Sequence, residues 1–574
     1  MALEQARGPE ARRIRISGSA LLIGGAVAIV CFLAVVPLAL LFYSSISNAR
    51  PGELGPLTLD NFARAYSARQ TYELMGNSLV YSAGSAILAF AMGSVLAWLC
   101  ARTNMPFKGI LFTISMVPMV VPGILNTISW LFLLSPRIGV INRVLMQAFG
   151  LTSAPFDVYS LGGMIWIEGV SLSPLVFLMM WAAFMSMDPS LEDSATMSGS
   201  NVFNTFRRIT LRLMLPAILS VVLITFIRGL ESFEVPALVG LPNRIFVFTS
   251  AIFAAIHDLP VDYGLAGAYS VSLLLISAVG VYLYSRATRR QEQFSTITGK
   301  GFRPREIDLG PWKYLASGFF MVYFLVVVGF PLLILLWNSL VPYTAVPSMD
   351  LLPKLSLKNY GDILSYSKIR QVFINSGIAA FSSATIVMLL TAVISWVVVK
   401  TRTPGRHILD SLAFIPIAIP GLTLGVGLIW VYLTLPIPIY GTLIILVVAY
   451  VTRFMPYGMR TNSAAMIQIH REMEEASSSA GASWVQTFTR VTLPLLRPAL
   501  ITGFIYVALI SLRELSSSIL LYSPGNEVLS IMIWDLWAGG EVQQLAALGI
   551  MMVGSLSILV FFFQRLGGSI GGRL

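Results

Sequence analysis

Six ionisable residues lie inside runs that are otherwise apolar, and side chains of these types could bind or gate a charged solute. The run FIRGLESFEVPAL carries one arginine and two acids, ALISLRELSSSILL carries an adjacent arginine and acid, and YVTRFMPYGM carries one arginine. The candidate residues are Arg228, Glu231, Glu234, Arg453, Arg513 and Glu514. Ionisable side chains within apolar helices are costly and usually face a cavity or one another. Two interpretations stay open: a polar path or gate, or buried ion pairs that lock helix packing.

The spacing of these residues indicates which of them can act together. Arg228, Glu231 and Glu234 are three residues apart, which predicts a shared flank of one helix. Arg513 and Glu514 are adjacent, so on a helix they would point about 100° apart and contact different neighbours.

Sequence motifs for catalysis are absent. No G-x-x-x-x-G-K-[ST] phosphate loop occurs, because TGKG at 298–301 lacks both the first glycine and the hydroxyl residue. His257, His407 and His470 are scattered without the spacing of metal ligands. We therefore expect no enzyme activity, no catalytic residue, no metal site and no cofactor in this chain.

The composition predicts a protein that crosses a membrane many times. Of 574 residues 56% are hydrophobic and only 11% are charged, whereas soluble domains carry about 25% charged residues. The net charge of +11 requires no nucleic acid partner, because Lys and Arg collect at the cytoplasmic ends of membrane helices. Lipid is the expected surrounding. Two cysteines, both in apolar runs, exclude a disulfide framework.

Twelve apolar runs are long enough to span a bilayer, which takes about 20 residues. They begin near residues 20, 77, 108, 160, 213, 263, 315, 375, 408, 441, 497 and 544. The runs are continuous and do not alternate, which favours helices over a barrel. Most Lys and Arg fall in the loops on the same side as the N-terminus, which predicts that both termini are cytoplasmic. The predicted class is an all-α polytopic membrane protein with about 12 transmembrane helices.

The second half of the chain repeats the first. Asn61, Asn77, Trp98 and Pro122 recur 298 residues later, and the further pairs Pro174/Pro456, Gly199/Gly481, Leu211/Leu493 and Pro216/Pro498 are 282 residues apart. This pattern predicts two tandem six-helix units in the same orientation. We assign residues 1–288 to the first unit, 289–313 to a polar, basic cytoplasmic linker and 314–574 to the second unit.

Matched prolines interrupt the third and ninth predicted spans. They are Pro118, Pro122, Pro416 and Pro420. Proline removes a backbone donor and disturbs the preceding turn, so the spans are either unwound near the pathway or kinked. We favour a kink.

Two polar stretches lie between the fourth and fifth spans of each half, at 191–218 and 474–501. In the second, EEASSSAGASWVQTFTRVTLPLLRPALI, a short helix bearing Glu475 would end at Gly481, which adopts positive φ without strain. A second short helix, about Ala482 to Arg490, would then project Trp484, Val485 and Phe488. An apolar tip on a polar stem suits the groove of a partner protein.

EASSSAGASWVQTFTRVTLP resembles the EAA motif of bacterial binding-protein-dependent ABC importer permeases. The resemblance covers nearly the whole chain, as two permease units fused end to end, and is greatest to the ferric-iron group. The first copy, LEDSATMSGSNVFNTFRRITLRLMLPAI, departs from the motif: Asp193 and Ser194 replace Glu and Ala, and Arg212 stands in place of the proline. We trust the second copy more and expect both to dock.

The resemblance implies the type I ABC importer fold in the bacterial inner membrane. It also implies two copies of a cytoplasmic ABC ATPase, which bind ATP and Mg, and a periplasmic substrate-binding protein. The expected ATPase-coupling residues are Asp193, Ser194, Ala195, Gly199, Phe203, Phe206, Glu475, Ala476, Gly481, Trp484, Val485 and Phe488.

The resemblance points to ferric iron as the first substrate choice, with thiamine, polyamines, phosphonates and sugar phosphates as alternatives. An ion-coupled secondary carrier is the competing class. Carriers of the major facilitator type tend to have a Gly/Asp/Arg-rich motif between spans two and three, but the loop here, ARTNMPFKG, contains no acid.

Overall fold

The computed structural model describes residues 18–187, 190–294 and 306–568. Within these ranges the chain is helical, and its β contacts are two isolated bridges, Ser47–Leu57 and Thr103–Ile307. Ten of the described helices are long and apolar enough to cross a membrane, and three further helix pairs meet at sharp bends. Two of those pairs coincide with predicted spans, which gives twelve. The predicted all-α class is confirmed.

The first half contains six membrane helices in chain order. They are α1 Gly18–Ser45, α2 Arg69–Arg102, α3 with arms Lys108–Met119 and Gly123–Leu134, α4 Leu161–Met185, α5 Phe206–Glu231 and α6 Tyr263–Phe294.

The second half repeats this order. Its helices are α7 Trp312–Leu340, α8 Ile369–Lys400, α9 with arms Arg406–Ala418 and Gly421–Thr434, α10 Leu443–Gln468, α11 Trp484–Leu512 and α12 Val542–Gly568. The predicted division at 288 and 314 stays a prediction, since no observation tests it; α6 ends and α7 begins on either side of the predicted linker.

The repeated asparagines perform the same task in both halves. The Asn61 amide donates to the carbonyls of Ser45 and Ser47, at the end of α1. The Asn359 amide donates to the carbonyls of Ser339 and Val341, at the end of α7. A helix end leaves carbonyls without partners inside the helix, so each asparagine satisfies two carbonyls at the end of the first helix of its half.

The matched prolines break α3 and α9 rather than kink them, so the kink we favoured is wrong. The two arms meet at 97° in α3 and at 111° in α9. Pro122 and Pro420 have extended backbone angles, with ψ of 140° and 141°. Proline cannot donate to the preceding turn, and the residue before it avoids the helical region. The unwound interpretation is confirmed.

A third bent pair, Pro236–Asn243 and Phe248–His257, follows α5 and was not predicted from the sequence. The second half has short helices in the same place, Ser518–Leu521 and Leu529–Ala538. Each half fixes this element through a serine hydroxyl that accepts the amide beginning the second short helix. Ser78 accepts from Phe248 at 2.9 Å, and Ser376 accepts from Leu529 at 2.7 Å.

The first helix of each half packs against the bent helix of the other half. Helix α1 lies along the second arm of α9, and α7 lies along the second arm of α3. Across the first contact Tyr43 and Trp430 meet edge to face at 5.6 Å, and near the second the hydroxyls of Ser173 and Tyr323 are 2.6 Å apart. The two halves are therefore interlocked, and the volume between them is enclosed by helices from both.

Candidate functional site

A cavity of about 320 Å³ lies between the halves. It is lined by residues at the breaks of α3 and α9, on α4 and α10, and at the ends of α5 and α11. All six ionisable residues predicted from the sequence line it: Arg228, Glu231, Glu234, Arg453, Arg513 and Glu514. Glu168 of α4 is a seventh. We call this volume the central cavity.

One ion pair in the central cavity belongs to α5. Arg228 Nη1 lies 3.5 Å from Glu231 Oε2, one turn further along the helix. The same guanidinium donates to the Tyr457 hydroxyl of α10, which belongs to the other half. This arginine therefore connects the halves as well as pairing within its own helix.

Glu234 does not share the flank of α5 with Arg228 and Glu231, and that prediction is wrong. Helix α5 ends at Glu231, and the chain is extended at Ser232. Pro236 cannot donate to the Ser232 carbonyl, which accepts instead from the Thr249 hydroxyl at 2.7 Å. Glu234 lies beyond this turn, at the break of α3: its carboxyl carbon is 3.6 Å from where a Cβ on Gly123 would be.

The second ion pair joins α10 to the end of α11. Arg453 Nη1 is 2.7 Å from Glu514 Oε1, and the side chains are 16% and 9% exposed. The same carboxylate oxygen accepts from the backbone and hydroxyl of Ser517, at 3.0 and 3.2 Å. A Cβ at Gly421 would overlap the Arg453 guanidinium, so the second arm of α9 must begin with glycine here.

Arg513 contacts a different partner from Glu514, as their spacing predicted. Its guanidinium donates to the Met119 carbonyl, in the first arm of α3. That carbonyl lies just before the proline break, where the helix cannot supply a donor. A second arginine thus crosses between the halves, this time from α11 to α3.

The acid that the sequence-predicted candidates left out, Glu168, is bound without a cation. Its Oε2 accepts from the Tyr81 and Ser232 hydroxyls, at 3.1 and 2.9 Å. The repeat spacing of 282 identifies Ser232 with Glu514, and both carbonyls accept a hydroxyl from the following short helix, Thr249 in one case and Ser530 in the other. Comparing the halves position by position would have predicted this site.

The central cavity is therefore highly charged and closely balanced, with four carboxylates and three guanidiniums along its walls. The two interpretations left open by the sequence are compatible, because residues that form ion pairs also line the cavity. Their role in a translocation path stays a prediction. Among the described residues, no group of three or more His, Cys, Asp or Glu is placed to hold a metal ion.

The two polar stretches fold alike; we call them the first EAA-like loop, residues 190–210, and the second EAA-like loop, residues 471–492. Each contains a short helix, Ser190–Met197 or Arg471–Ser479. Each then turns at a glycine of positive φ, +83° at Gly199 and +82° at Gly481, a conformation that other residues adopt only with strain.

The helix after the second glycine differs from the prediction. It begins at Trp484, capped by Ser483, and continues without interruption to Leu512, so the separate helix Ala482–Arg490 is wrong. Pro494 would interrupt an α-helical ladder, but a π-helical turn at Phe488–Thr492 moves the bonds by one residue.

The first EAA-like loop has the same π-helical turn, at Phe206–Thr210, with the Leu211 amide donating to the Phe206 carbonyl. Arg212 stands where the second loop has proline, so the departure from the motif changes the side chain and leaves the backbone alike. The side chain of Phe203 lies outside the described residues. Asp193, Ser194 and Gly199 are exposed, and Ala195 is half-buried.

The apolar tip predicted at Trp484, Val485 and Phe488 is only partly exposed. Phe488 is buried, and Trp484 is half-buried with its ring 5.0 Å from that of Trp396 in α8. Val485 is 38% exposed and faces outward together with Glu475, Ala476 and Gly481. The prediction that all three project is wrong, because two of these aromatic side chains bury more surface against their own chain.

One acid in each EAA-like loop was missed by the sequence analysis. Glu192 accepts from the Thr210 hydroxyl at 2.6 Å and pairs with Arg102 at the end of α2. Glu474 accepts from the Thr492 hydroxyl at 3.0 Å and from Trp396 Nε1 at 3.2 Å. The spacing of 282 that relates Glu192 to Glu474, and Thr210 to Thr492, was a usable signal. Each acid ties its loop to the second helix of its half.

The sequence was compared with families and individual proteins. The model of the family described as "Binding-protein-dependent transport system inner membrane component" matches twice, at residues 89–293 and 389–568. The ferric transport system permease protein FbpB of Actinobacillus pleuropneumoniae is 26% identical over 500 residues, which cover 86% of this chain and 71% of that protein. The Fe(3+)-transport system permease protein FbpB 2 of Haemophilus influenzae is 23% identical over 497 residues, covering 86% and 90%.

Solved structures were compared as well. A crystal structure of a bacterial ABC transporter involved in the import of the acidic polysaccharide alginate aligns with 49% of this chain and 98% of that chain. The identity is 19% and the TM-score 0.40.

Proposed function

The chain belongs to the family of binding-protein-dependent transport system inner membrane components, and we propose that it imports ferric iron with energy from ATP hydrolysed by separate subunits. It is a fused double permease, since both halves match the family, and a multi-pass protein of the inner membrane. Members of this family are transporters rather than catalysts.

The observation that carries the proposal is that each EAA-like loop is directly continuous with a wall of the central cavity. Helix α5 connects Phe206 to Glu231, and α11 connects Trp484 to Leu512, immediately before Arg513 and Glu514. At 1.5 Å per residue the 29 residues of α11 span about 43 Å. A helix of this kind transmits a displacement of the loop to the charges at its other end.

ATPase subunits are the proposed source of that displacement. Two copies, one beneath each EAA-like loop, would contact the exposed glycines and the residues around them. When the subunits close on ATP, the loops approach each other and α5 and α11 turn the cavity from one side of the membrane to the other. Both termini are then cytoplasmic, and a periplasmic binding protein delivers the solute to the opposite face.

Ferric iron as the solute is supported by the two ferric relatives, which match 86% of the chain. The central cavity adds chemical support, since carboxylate oxygens are the hard ligands that a trivalent cation prefers. Three of its four acids, Glu168, Glu231 and Glu234, come from the first half. A transport path must also release its cargo, and a cavity without three convergent metal ligands among the described residues suits brief passage.

Uptake into proteoliposomes tests this function. The protein would be reconstituted with its ATPase and the binding protein encoded beside it, and radioactive iron would be followed with and without ATP. We expect iron accumulation that requires ATP and the binding protein. ATP-dependent uptake of thiamine, spermidine, 2-aminoethylphosphonate or a sugar phosphate in place of iron would refute the substrate. Uptake driven by an ion gradient without ATP would refute the importer.

A further inference from the structure

We propose that the linker strand, residues 306–310, positions the first EAA-like loop, and that Asn104 holds the strand in place. The inference rests on the proposed function, because it concerns how ATP hydrolysis is coupled to that loop. It assigns a positioning role to a segment between the two family units, which end and begin at residues 293 and 389.

The linker strand is bound to the loop between α2 and α3 by backbone and side chains together. Ile307 donates to the Arg102 carbonyl at 2.8 Å, and its own carbonyl accepts from the Asn104 amide at 3.1 Å. The Asn104 side chain accepts from the Leu309 amide at 3.0 Å and donates to the Asp308 carboxylate. One side chain therefore binds two consecutive residues of the strand.

Further contacts fix both ends of the linker strand. At its start, Glu306 pairs with Lys108 at 2.8 Å. At its end, the Asp308 carboxylate also accepts from the Gly310 amide at 2.9 Å. These two donors, first Gly310 and then Asn104, lower the pKa of Asp308, so the carboxylate is ionised at neutral pH.

The strand reaches the first EAA-like loop through a single residue. Arg102, whose carbonyl accepts from the strand, is the last residue of α2, and its side chain is 2% exposed. Its guanidinium pairs with Glu192 in the first EAA-like loop. Because that carboxylate also accepts from Thr210, any shift of the Arg102 backbone changes the contact between the loop and the base of α5.

The second EAA-like loop is anchored differently. Lys400 occupies the position of Arg102, 298 residues later, and donates to the Ile469 carbonyl rather than to a carboxylate. Glu474 is bound by Trp396 instead. In the described part of the chain no strand pairs with residues 401–403, whereas Thr103 pairs with Ile307. Only the first loop is therefore tied to the linker, and it is the loop that departs most from the EAA motif.

The experiment exchanges the two side chains that join strand and loop. Asn104→Asp places two carboxylates against each other and should release the strand. Asn104→Asp combined with Asp308→Asn restores every bond, because the new carboxylate at position 104 can accept from Leu309 and from the side-chain amide at position 308, while the amide oxygen at position 308 accepts from Gly310. Arg402→Asp, at the repeated position in the second half, is the matched control.

Two quantities are measured on the full chain assembled with its ATPase: hydrogen exchange at Ile307 and Leu309, and ATP hydrolysed per iron taken up. Losing even one net hydrogen bond shifts a docking equilibrium about fivefold, so we expect about fivefold faster exchange and a similar rise in ATP per iron for Asn104→Asp. The double variant and Arg402→Asp should match the unmodified protein in both.

Three results would overturn the inference. Unchanged exchange in Asn104→Asp would show that Asn104 does not hold the strand. Faster exchange with an unchanged ratio of ATP to iron would show that the strand does not position the loop, and failure of the double variant to recover would show a general folding defect. Absence of solute-stimulated ATP hydrolysis in the unmodified protein would instead reject the proposed function, and the inference with it.

Discussion

Replacing Arg453 by Gln separates the two roles that the charges of the central cavity can have. The pair with Glu514 is close, at 2.7 Å, and little exposed. Two unit charges at this distance attract by about 6 kcal/mol at an effective dielectric constant of 20, and most of this is offset by the cost of removing both from water. Removing only the cation keeps that cost for the carboxylate, so we expect a loss of about 3–5 kcal/mol in the free energy of unfolding.

The double variant Arg453→Gln/Glu514→Gln carries the decisive comparison. With neither charge present, no ion is left buried alone, and Gln at position 514 still accepts from the Ser517 amide. Stability, followed as thermal unfolding in detergent, should return to within about 1 kcal/mol of the unmodified protein. Iron uptake should stay low, because the charges that face the solute are gone.

Either of two results refutes this reasoning. If Arg453→Gln is as stable as the unmodified protein, the pair is not buried in the sense that its geometry indicates. If the double variant recovers uptake together with stability, the pair serves packing alone and the cavity wall does not need its charge.

Three further predictions concern contacts between halves and within the loops. Tyr457→Phe removes the acceptor of Arg228 and, for a hydrogen bond to a charged group, should cost about 1.5–3 kcal/mol; uptake should fall while the ATPase still co-purifies. Gly481→Ala forces positive φ on a residue with a Cβ, a strain of about 1–2 kcal/mol, and should weaken ATPase co-purification. Glu192→Gln leaves the buried guanidinium of Arg102 without its carboxylate and should lower thermal stability by about 3–5 kcal/mol.

Matched controls make these predictions specific. Tyr506→Phe also removes a hydroxyl from the cavity wall, away from the Arg228–Glu231 pair, and should have the smaller effect on uptake. Gly361→Ala adds a methyl group where no atom lies within 4 Å and φ is not positive, so ATPase co-purification should be unchanged. Equal behaviour of Gly361→Ala and Gly481→Ala would contradict the strain argument.

The membrane helices and the members of the site were predictable from sequence because local signals determine them. Apolar length located the spans, and the cost of ionisable side chains in lipid marked all six residues that now line the central cavity. The duplication added the equivalence of the two loops. Each of these signals is carried by one segment at a time.

What the sequence did not predict depends on contacts between distant segments. The end of α5 at Glu231 follows from Pro236 together with the hydroxyl of Thr249, 17 residues beyond Ser232. The inward packing of Trp484 depends on Trp396. Neither contact has a periodic signature, although in both cases the repeat offers a second copy in which the same interaction can be recognised.

The fusion of two units permits a chemistry that a symmetric pair of identical subunits cannot have. Positions 282 residues apart carry Glu168 and Tyr450, or Ser232 and Glu514, on matching backbones. In a homodimer every charge would appear twice around the axis, and acids would face acids. A single chain can place a carboxylate on one wall and its hydroxyl donor at the position where the other wall carries the acid.

Making the walls alike should therefore be harmful, and Ser232→Glu tests this. The Ser232 hydroxyl lies 2.9 Å from the Glu168 carboxylate and donates to it, so the substitution replaces a donor by a like charge. At an effective dielectric constant of 20 and a separation near 4 Å, the repulsion is about 4 kcal/mol. We expect lower thermal stability and loss of uptake, with stability restored by adding Glu168→Gln and both properties retained in Ser232→Thr. Full activity of Ser232→Glu would show that the difference between the two walls is without consequence for transport.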